Sequence, residues 1–181
     1  HARPPFAIQS VELPVQVAIG GLNLRVRIDR IDRLDDGSSL LIDYKSGKKS
    51  PADWMGERPA EPQLPLYAVA MKDQVRGVAF GIVRRASCAY AGLADRDQGI
   101  AGVMDAAEWT AKSGMLSWEE LRAQWFRVLE TLATEFREGD ARVDPRDGAR
   151  TCQYCSLPAL CRVGDTRTLA EDEEAQGGED D

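Results

Sequence analysis

The sequence predicts an α+β domain: a mixed β-sheet opened by an antiparallel three-strand meander and flanked by helices. Three observations carry this. The first 45 residues alternate apolar and polar side chains over three runs. Tight-turn signals, Gly20-Gly21 and Asp35-Asp36-Gly37, join those runs. Further on, the apolar period lengthens to that of a helix, most clearly over 118–138.

The first strand is expected over 8–18, with Val11, Leu13, Val15 and Val17 on one face. Pro14 removes a ladder donor, which places this strand at a sheet edge or at a bulge. The second is expected over 22–34 and the third over 40–45. Residues 47–62 read as a loop containing Lys48, Lys49, Trp54 and Arg58. A helix follows over 62–72, with Pro62 and Pro65 confined to its first turn. Val75 to Arg84 and Ser87 to Leu93 read as an antiparallel pair of strands. Residues 94–115 read as a loop with a short helix near 106–111. The longest helix is expected over 118–138. Ser117 and Glu120 form a capping box at its start, Leu121, Trp125, Val128, Leu129, Leu132 and Phe136 its buried stripe, and Gly139 stops it.

The 181 residues carry 23 basic and 30 acidic side chains, a net charge of −7. Seven of the acids fall within residues 170–181, an acidic stretch expected to be a disordered tail. Residues 1–169 are then a neutral domain, so the acidic total does not exclude nucleic acid. No run is apolar and long enough for a membrane helix, and no signal peptide is visible. Cys152, Cys155 and Cys161 are spaced C-x2-C-x5-C, which suits Zn²⁺ or an iron–sulfur cluster in a reducing, cytoplasmic setting rather than a disulfide framework.

The chemistry concentrates in the second and third strands. Arg25-Val26-Arg27-Ile28-Asp29-Arg30-Ile31-Asp32 and Leu40-Leu41-Ile42-Asp43-Tyr44-Lys45-Ser46-Gly47 each place acids where apolar residues should be. Asp43 and Lys45 are two apart, so on a strand they share a face. Asp43 ends an apolar run, and buried acids are rare unless paired or metal-bound. A Mg²⁺ or Mn²⁺ ion is typically held by one or two carboxylates. Asp29 and Asp43, with the Tyr44 carbonyl, fit that need, and Lys45 fits a role beside a phosphodiester. Gln63 and Tyr67, four apart on one helix face, are placed to support Lys45. The other reading of Asp43 and Lys45 is a solvated salt bridge.

RIDRID, LIDYKSG and QLPLYA together resemble the PD-(D/E)XK nuclease superfamily, and within it the RecB-type nuclease domain found at the C-terminus of AddB-like DNA repair proteins. The resemblance spans about residues 6–165. It implies a restriction-endonuclease-like core, with Asp29 and Asp43 as metal ligands, Lys45 as the catalytic lysine and Gln63 and Tyr67 as a helix motif. It also implies DNA as substrate, exonuclease chemistry, a helicase-like partner, and a [4Fe-4S] cluster on Cys152, Cys155, Cys161 and one upstream cysteine. No cysteine precedes Cys88, and the only histidine is His1. The family's N-terminal helix and its histidine ligand are missing, so the expected chain is truncated at its N-terminus. Arg25, Arg27, Arg30, Arg33, Lys48, Lys49 and Arg58 are candidate phosphate contacts, as are Arg84-Arg85. Trp54 is expected to pack onto the core rather than stack on a base. The rival readings are a non-catalytic DNA-binding or scaffolding domain and a zinc-stapled module.

Overall fold

A computed structural model describes residues 3–71, 74–85, 87–111, 114 and 116–161. His1 and the acidic stretch 170–181 lie outside the described residues. The chain divides into two compact units, 1–138 and 139–181, and the boundary falls inside the span expected as one domain.

The first unit is a six-stranded mixed sheet with helices, in the order β1-β2-β3-β4-β5-β6. Strands β1 (Phe6–Ile19), β2 (Leu22–Leu34) and β3 (Ser39–Lys45) form the antiparallel meander. Gly20 and Gly21, both at positive φ, turn the first hairpin, and Gly37 turns the second. Strand β3 then pairs in parallel with β4 (Val75–Arg84). A parallel neighbour needs a crossover, and the segment that supplies it carries α1 (Gln63–Ala70). Strand β5 (Ser87–Ala94) returns antiparallel to β4. Strand β6 (Val103–Asp105), three residues long and unexpected from the sequence, pairs in parallel with β5. It is too short to show an alternation. It leads directly into α2 (Ala106–Thr110), whose first turn is capped by the Asp105 carboxylate.

The main core joins Ile28, Ile31 and Leu41 of the sheet to Leu64, Tyr67 and Ala68 of α1 and to Trp118, Leu121 and Trp125 of α3 (Trp118–Glu138). Trp54 is fully buried there, 4.8 Å from the Phe80 ring and 6.2 Å from that of Trp125. Burying a side chain of that size contributes on the order of 3 kcal/mol. It fixes the loop between β3 and α1. A smaller cluster, with Leu40, Ile42, Ala79, Ala94, Ile100 and Val103, forms separately.

Helix α3 begins with the expected capping box: Ser117 N–H donates to Glu120 Oε2 at 2.8 Å, and Glu120 N–H to Ser117 Oγ at 3.3 Å. Its buried line is Leu121, Trp125, Leu129 and Ala133. Phe136, expected on that stripe, is 76% exposed; the positions that meet the first hairpin at this end of the helix are Ala133, beside Gly20, and Arg137, beside Gly21. Ala133 meets the first hairpin, where a Cβ on Gly20 would lie 2.6 Å from the Ala133 Cβ. Glycine therefore lets turn and helix touch.

Strand β1 is an edge strand, as Pro14 requires. Its register shifts between Ile8 and Ser10, and Glu12 has φ +49°, a left-handed conformation that is rare for glutamate. Glu12 lies between the pairs Val11↔Arg30 and Leu13↔Ile28, across from Asp29.

In the second unit, α4 (Ala149–Cys152) and α5 (Pro158–Cys161) are single turns that end at Cys152 and Cys161, with Cys155 in the segment between them. None of the four cysteines is in a disulfide.

Glycine at position 12 relieves the left-handed penalty. Glu12→Gly is expected to stabilise the chain by about 1 kcal/mol, seen as a melting temperature roughly 2–4 °C higher. Glu12→Val, which adds β-branching at the same φ, should shift it the other way.

Candidate active site

Two strands and one helix bring the expected residues together. Asp29, on β2, accepts the Tyr44 backbone N–H at 2.9 Å. Asp43, on β3, is 2% exposed. Its Oδ2 lies 2.8 Å from Lys45 Nζ, yet no aligned hydrogen bond reaches that oxygen. Burial raises the Asp43 pKa, and Asp29 and Glu61 add to the rise; Lys45 offsets it only in part. Lys45 experiences the same forces with opposite weights. Burial pulls its pKa down, but Asp43 and Glu61 more than reverse this, so the ammonium is held above its ordinary value.

Helix α1 orients the lysine. Lys45 Nζ donates to Gln63 Oε1 at 3.3 Å, Gln63 Nε2 to Tyr67 OH at 2.8 Å, and Tyr67 OH to the Arg27 carbonyl at 2.7 Å. A carbonyl can only accept, so Tyr67 must donate to it, and the Gln63 amide must present its NH₂ to Tyr67 and its oxygen to Lys45. Burial raises the Tyr67 pKa and keeps its proton in place. Gln63 and Tyr67 are one turn apart, so one helix face carries both links.

Glu61 was not foreseen from the sequence. Its Oε2 lies 3.4 Å from Lys45 Nζ, and its Oε1 pairs with Lys49. Burial pulls its pKa up, but Lys49 and Lys45 together hold it below the ordinary carboxylate range. An acid two residues before a helix, in a loop of mixed charge, offers no sequence signal. Only the fold places it beside Lys45.

Asp32 serves a different purpose. It is fully buried, bonded by Arg30 at 2.6 and 3.1 Å and by Arg3 at 2.7 Å. Arg30 also donates to Tyr44 OH at 3.1 Å and lies over Phe6. Arg30 was expected among the phosphate contacts; its guanidinium is instead committed to Asp32 and Tyr44, and the pair holds its pKa above its ordinary value. Arg27 pairs with Glu12 at 3.0 Å on an exposed surface. Lys49 is engaged by Glu61. Arg25, Lys48 and Arg58 are exposed. Arg84 Nε donates to the Ser46 carbonyl at 3.3 Å.

Asp29 and Asp43 form a two-carboxylate, all-oxygen set, and one of its buried oxygens lacks an aligned partner. This suits a hard divalent cation that keeps waters. Among the described residues, no group of three or more His, Cys, Asp or Glu is arranged to hold a metal. A site here therefore rests on two acids and main-chain oxygen. Of the cysteines, Cys155 and Cys88 are exposed and Cys152 and Cys161 half-buried.

A family profile for the PD-(D/E)XK nuclease superfamily matches residues 1–162. The chain belongs to the PD-(D/E)XK nuclease superfamily. Asp43-Tyr44-Lys45 spells the D-x-K of that name, and the six-stranded mixed sheet with flanking helices is consistent with the superfamily's restriction-endonuclease-like fold. No curated protein matches the chain. Among solved structures it is similar to the crystal structure of SSO0001, at 17% identity and a TM-score of 0.41. The match covers 84% of this chain and 59% of that one. No described helix of this PD-(D/E)XK chain is long and apolar enough to cross a membrane.

The raised Asp43 pKa gives a signed prediction. Folding favours its neutral form, so its contribution to stability is greatest below the ordinary carboxylate range. That contribution is lost as pH rises through the raised value. Asp43→Asn, melted in EDTA, should be more stable than the wild type at pH 7. The difference should shrink on acidification and vanish below the ordinary aspartate pKa. A variant less stable at pH 7 would contradict the burial argument.

Proposed function

We propose that the chain is a metal-dependent DNA nuclease domain, an exonuclease in recombinational repair. Within the superfamily, RIDRID, LIDYKSG and QLPLYA favour a RecB-type domain like the C-terminal nuclease of AddB-like proteins, working in the cytoplasm beside a helicase-like domain or subunit. The observation that supports nuclease chemistry is the convergence of Asp29, Asp43 and Lys45 with the Gln63–Tyr67 link behind the lysine.

In this reading Asp29, Asp43 and the Tyr44 carbonyl hold Mg²⁺ or Mn²⁺. Such an ion, when bound, activates water at neutral pH and offsets charge on the phosphate. The chain's own groups do the rest. Asp43 presents a carboxylate that folding has stripped of water. Lys45 donates to the attacking water or to the phosphoryl oxygen where negative charge grows. Gln63 holds the ammonium at a fixed angle, and Tyr67 ties Gln63 to the β2 backbone two residues before Asp29. Arg25, Lys48 and Arg58 track the phosphate backbone. Arg27 and Lys49 can join only by leaving Glu12 and Glu61. Cys152, Cys155 and Cys161 supply three thiolates to a [4Fe-4S] cluster.

Asp43→Ala and Lys45→Ala should each abolish Mg²⁺-dependent DNA degradation and leave the far-UV circular dichroism unchanged. Full activity in either variant would sink the assignment. Binding to DNA should weaken steeply with salt and depend little on sequence. For the cysteines, anaerobic reconstitution with iron and sulfide should give a brown protein, and Cys155→Ser should remain colourless. A colourless wild type that retains stoichiometric zinc would instead favour the zinc staple.

A further inference from the structure

We propose that Glu61 is a positioning residue for Lys45: the charged anchor that keeps the ammonium in the site once Asp43 is occupied. This rests on the nuclease reading above.

An ammonium has three donors and no acceptor. Three oxygens surround that of Lys45: Gln63 Oε1, hydrogen-bonded at 3.3 Å, and two in ion pairs, Asp43 Oδ2 at 2.8 Å and Glu61 Oε2 at 3.4 Å. The nearest of these is also the oxygen a divalent cation on Asp43 would claim. Lys45 and such an ion then compete for one carboxylate, and like charges repel. A lysine freed from Asp43 has a flexible four-carbon stem and would gain entropy by swinging into water. Gln63 opposes this with a neutral amide. Glu61 opposes it with a full charge 3.4 Å from Nζ.

Glu61 is itself held in place. Its backbone N–H donates to the Asp53 carbonyl at 3.0 Å, and Asp53 caps the turn (Pro51–Trp54) that buries Trp54. Its other oxygen pairs with Lys49. A carboxylate shared between two lysines is a weak competitor for a cation, so Glu61 steers Lys45 rather than joining Asp29 and Asp43. Lys49 is the second half of the device, since it keeps the Glu61 carboxylate turned toward the site.

The test compares wild type, Glu61→Gln, Lys45→Met and the double variant in the full chain. Two quantities are read: steady-state cleavage of DNA, and direct Mn²⁺ binding by electron paramagnetic resonance. Glu61→Gln should lower kcat about tenfold to a hundredfold, the range expected when a reacting group is misplaced by about 1 Å. KM for DNA should not rise, because the substitution removes a negative charge. Mn²⁺ affinity should fall several-fold, since Asp43 is then the only charged partner left to Lys45 beside the neutral Gln63 amide, and Glu61→Asp should recover part of both effects. In the Lys45→Met background, Glu61→Gln should leave Mn²⁺ affinity unchanged. If it still weakens Mn²⁺ binding there, Glu61 is a direct ligand and the proposal is overturned. Unchanged kcat and Mn²⁺ affinity in Glu61→Gln, with wild type active and Asp43→Ala dead, overturns it and leaves the nuclease reading standing. A wild type that neither binds Mn²⁺ nor cleaves DNA overturns both.

Discussion

One backbone carbonyl, that of Arg27, gives the site its direction. It cannot donate, so Tyr67 must. Once Tyr67 donates outward, Gln63 must offer it an NH₂, and the amide oxygen turns to Lys45. Three side chains and one peptide group thus have a single satisfied arrangement. Each link is part-buried, where a lost partner costs about 1–3 kcal/mol. The carbonyl belongs to the strand that carries Asp29, and the lysine to the strand that carries Asp43. Helix α1 therefore fixes the two acids and the lysine relative to one another.

Strand β2 shows how two aspartates three residues apart can have opposite fates. Asp29 takes one main-chain donor and keeps an oxygen available. Asp32 is fully buried and ringed by Arg30 and Arg3. Leaving either buried guanidinium or carboxylate alone would cost several kcal/mol, so this cluster acts as a structural pin. It also bonds Tyr44, which stands between Asp43 and Lys45 in sequence. The pin thus steadies the strand that carries the reactive groups without presenting its charges to them.

Much of this was legible beforehand, for physical reasons. Alternation, turn glycines and the Ser117–Glu120 box are local signals, and β1 to β3 and α3 follow from them. Asp43 and Lys45 were visible because charges interrupt an apolar strand. Asp29 and Asp32 are three apart, which on a strand puts them on opposite faces. What escaped depends on long-range placement. Strand β6 has three residues and exists only because β5 offers an edge. Phe136 continues a helical period but lies beside, not on, the line of Ala133 and Arg137 that meets the hairpin. Arg30 resembles any surface arginine until Asp32 and Phe6 are seen beside it. Glu61 becomes informative only when the loop folds back over Trp54.

The loop after β3 therefore links stability to chemistry. Trp54 has no exposed surface and contacts Phe80 and Trp125, so core packing sets the position of residues 51–54. Asp53 then closes the turn by accepting the Ser50 N–H, and its own carbonyl receives Glu61. Glu61 in turn borders Lys45. Each step is one contact long, and none is a flexible tether. A core substitution at Trp54 would open a cavity of the kind that costs about 3–5 kcal/mol. It would also release the only carboxylate besides Asp43 recorded within ion-pairing distance of the lysine among the described residues. The aromatic core under the loop and the charge balance at Lys45 are for this reason one structural unit, not a scaffold and a separate site.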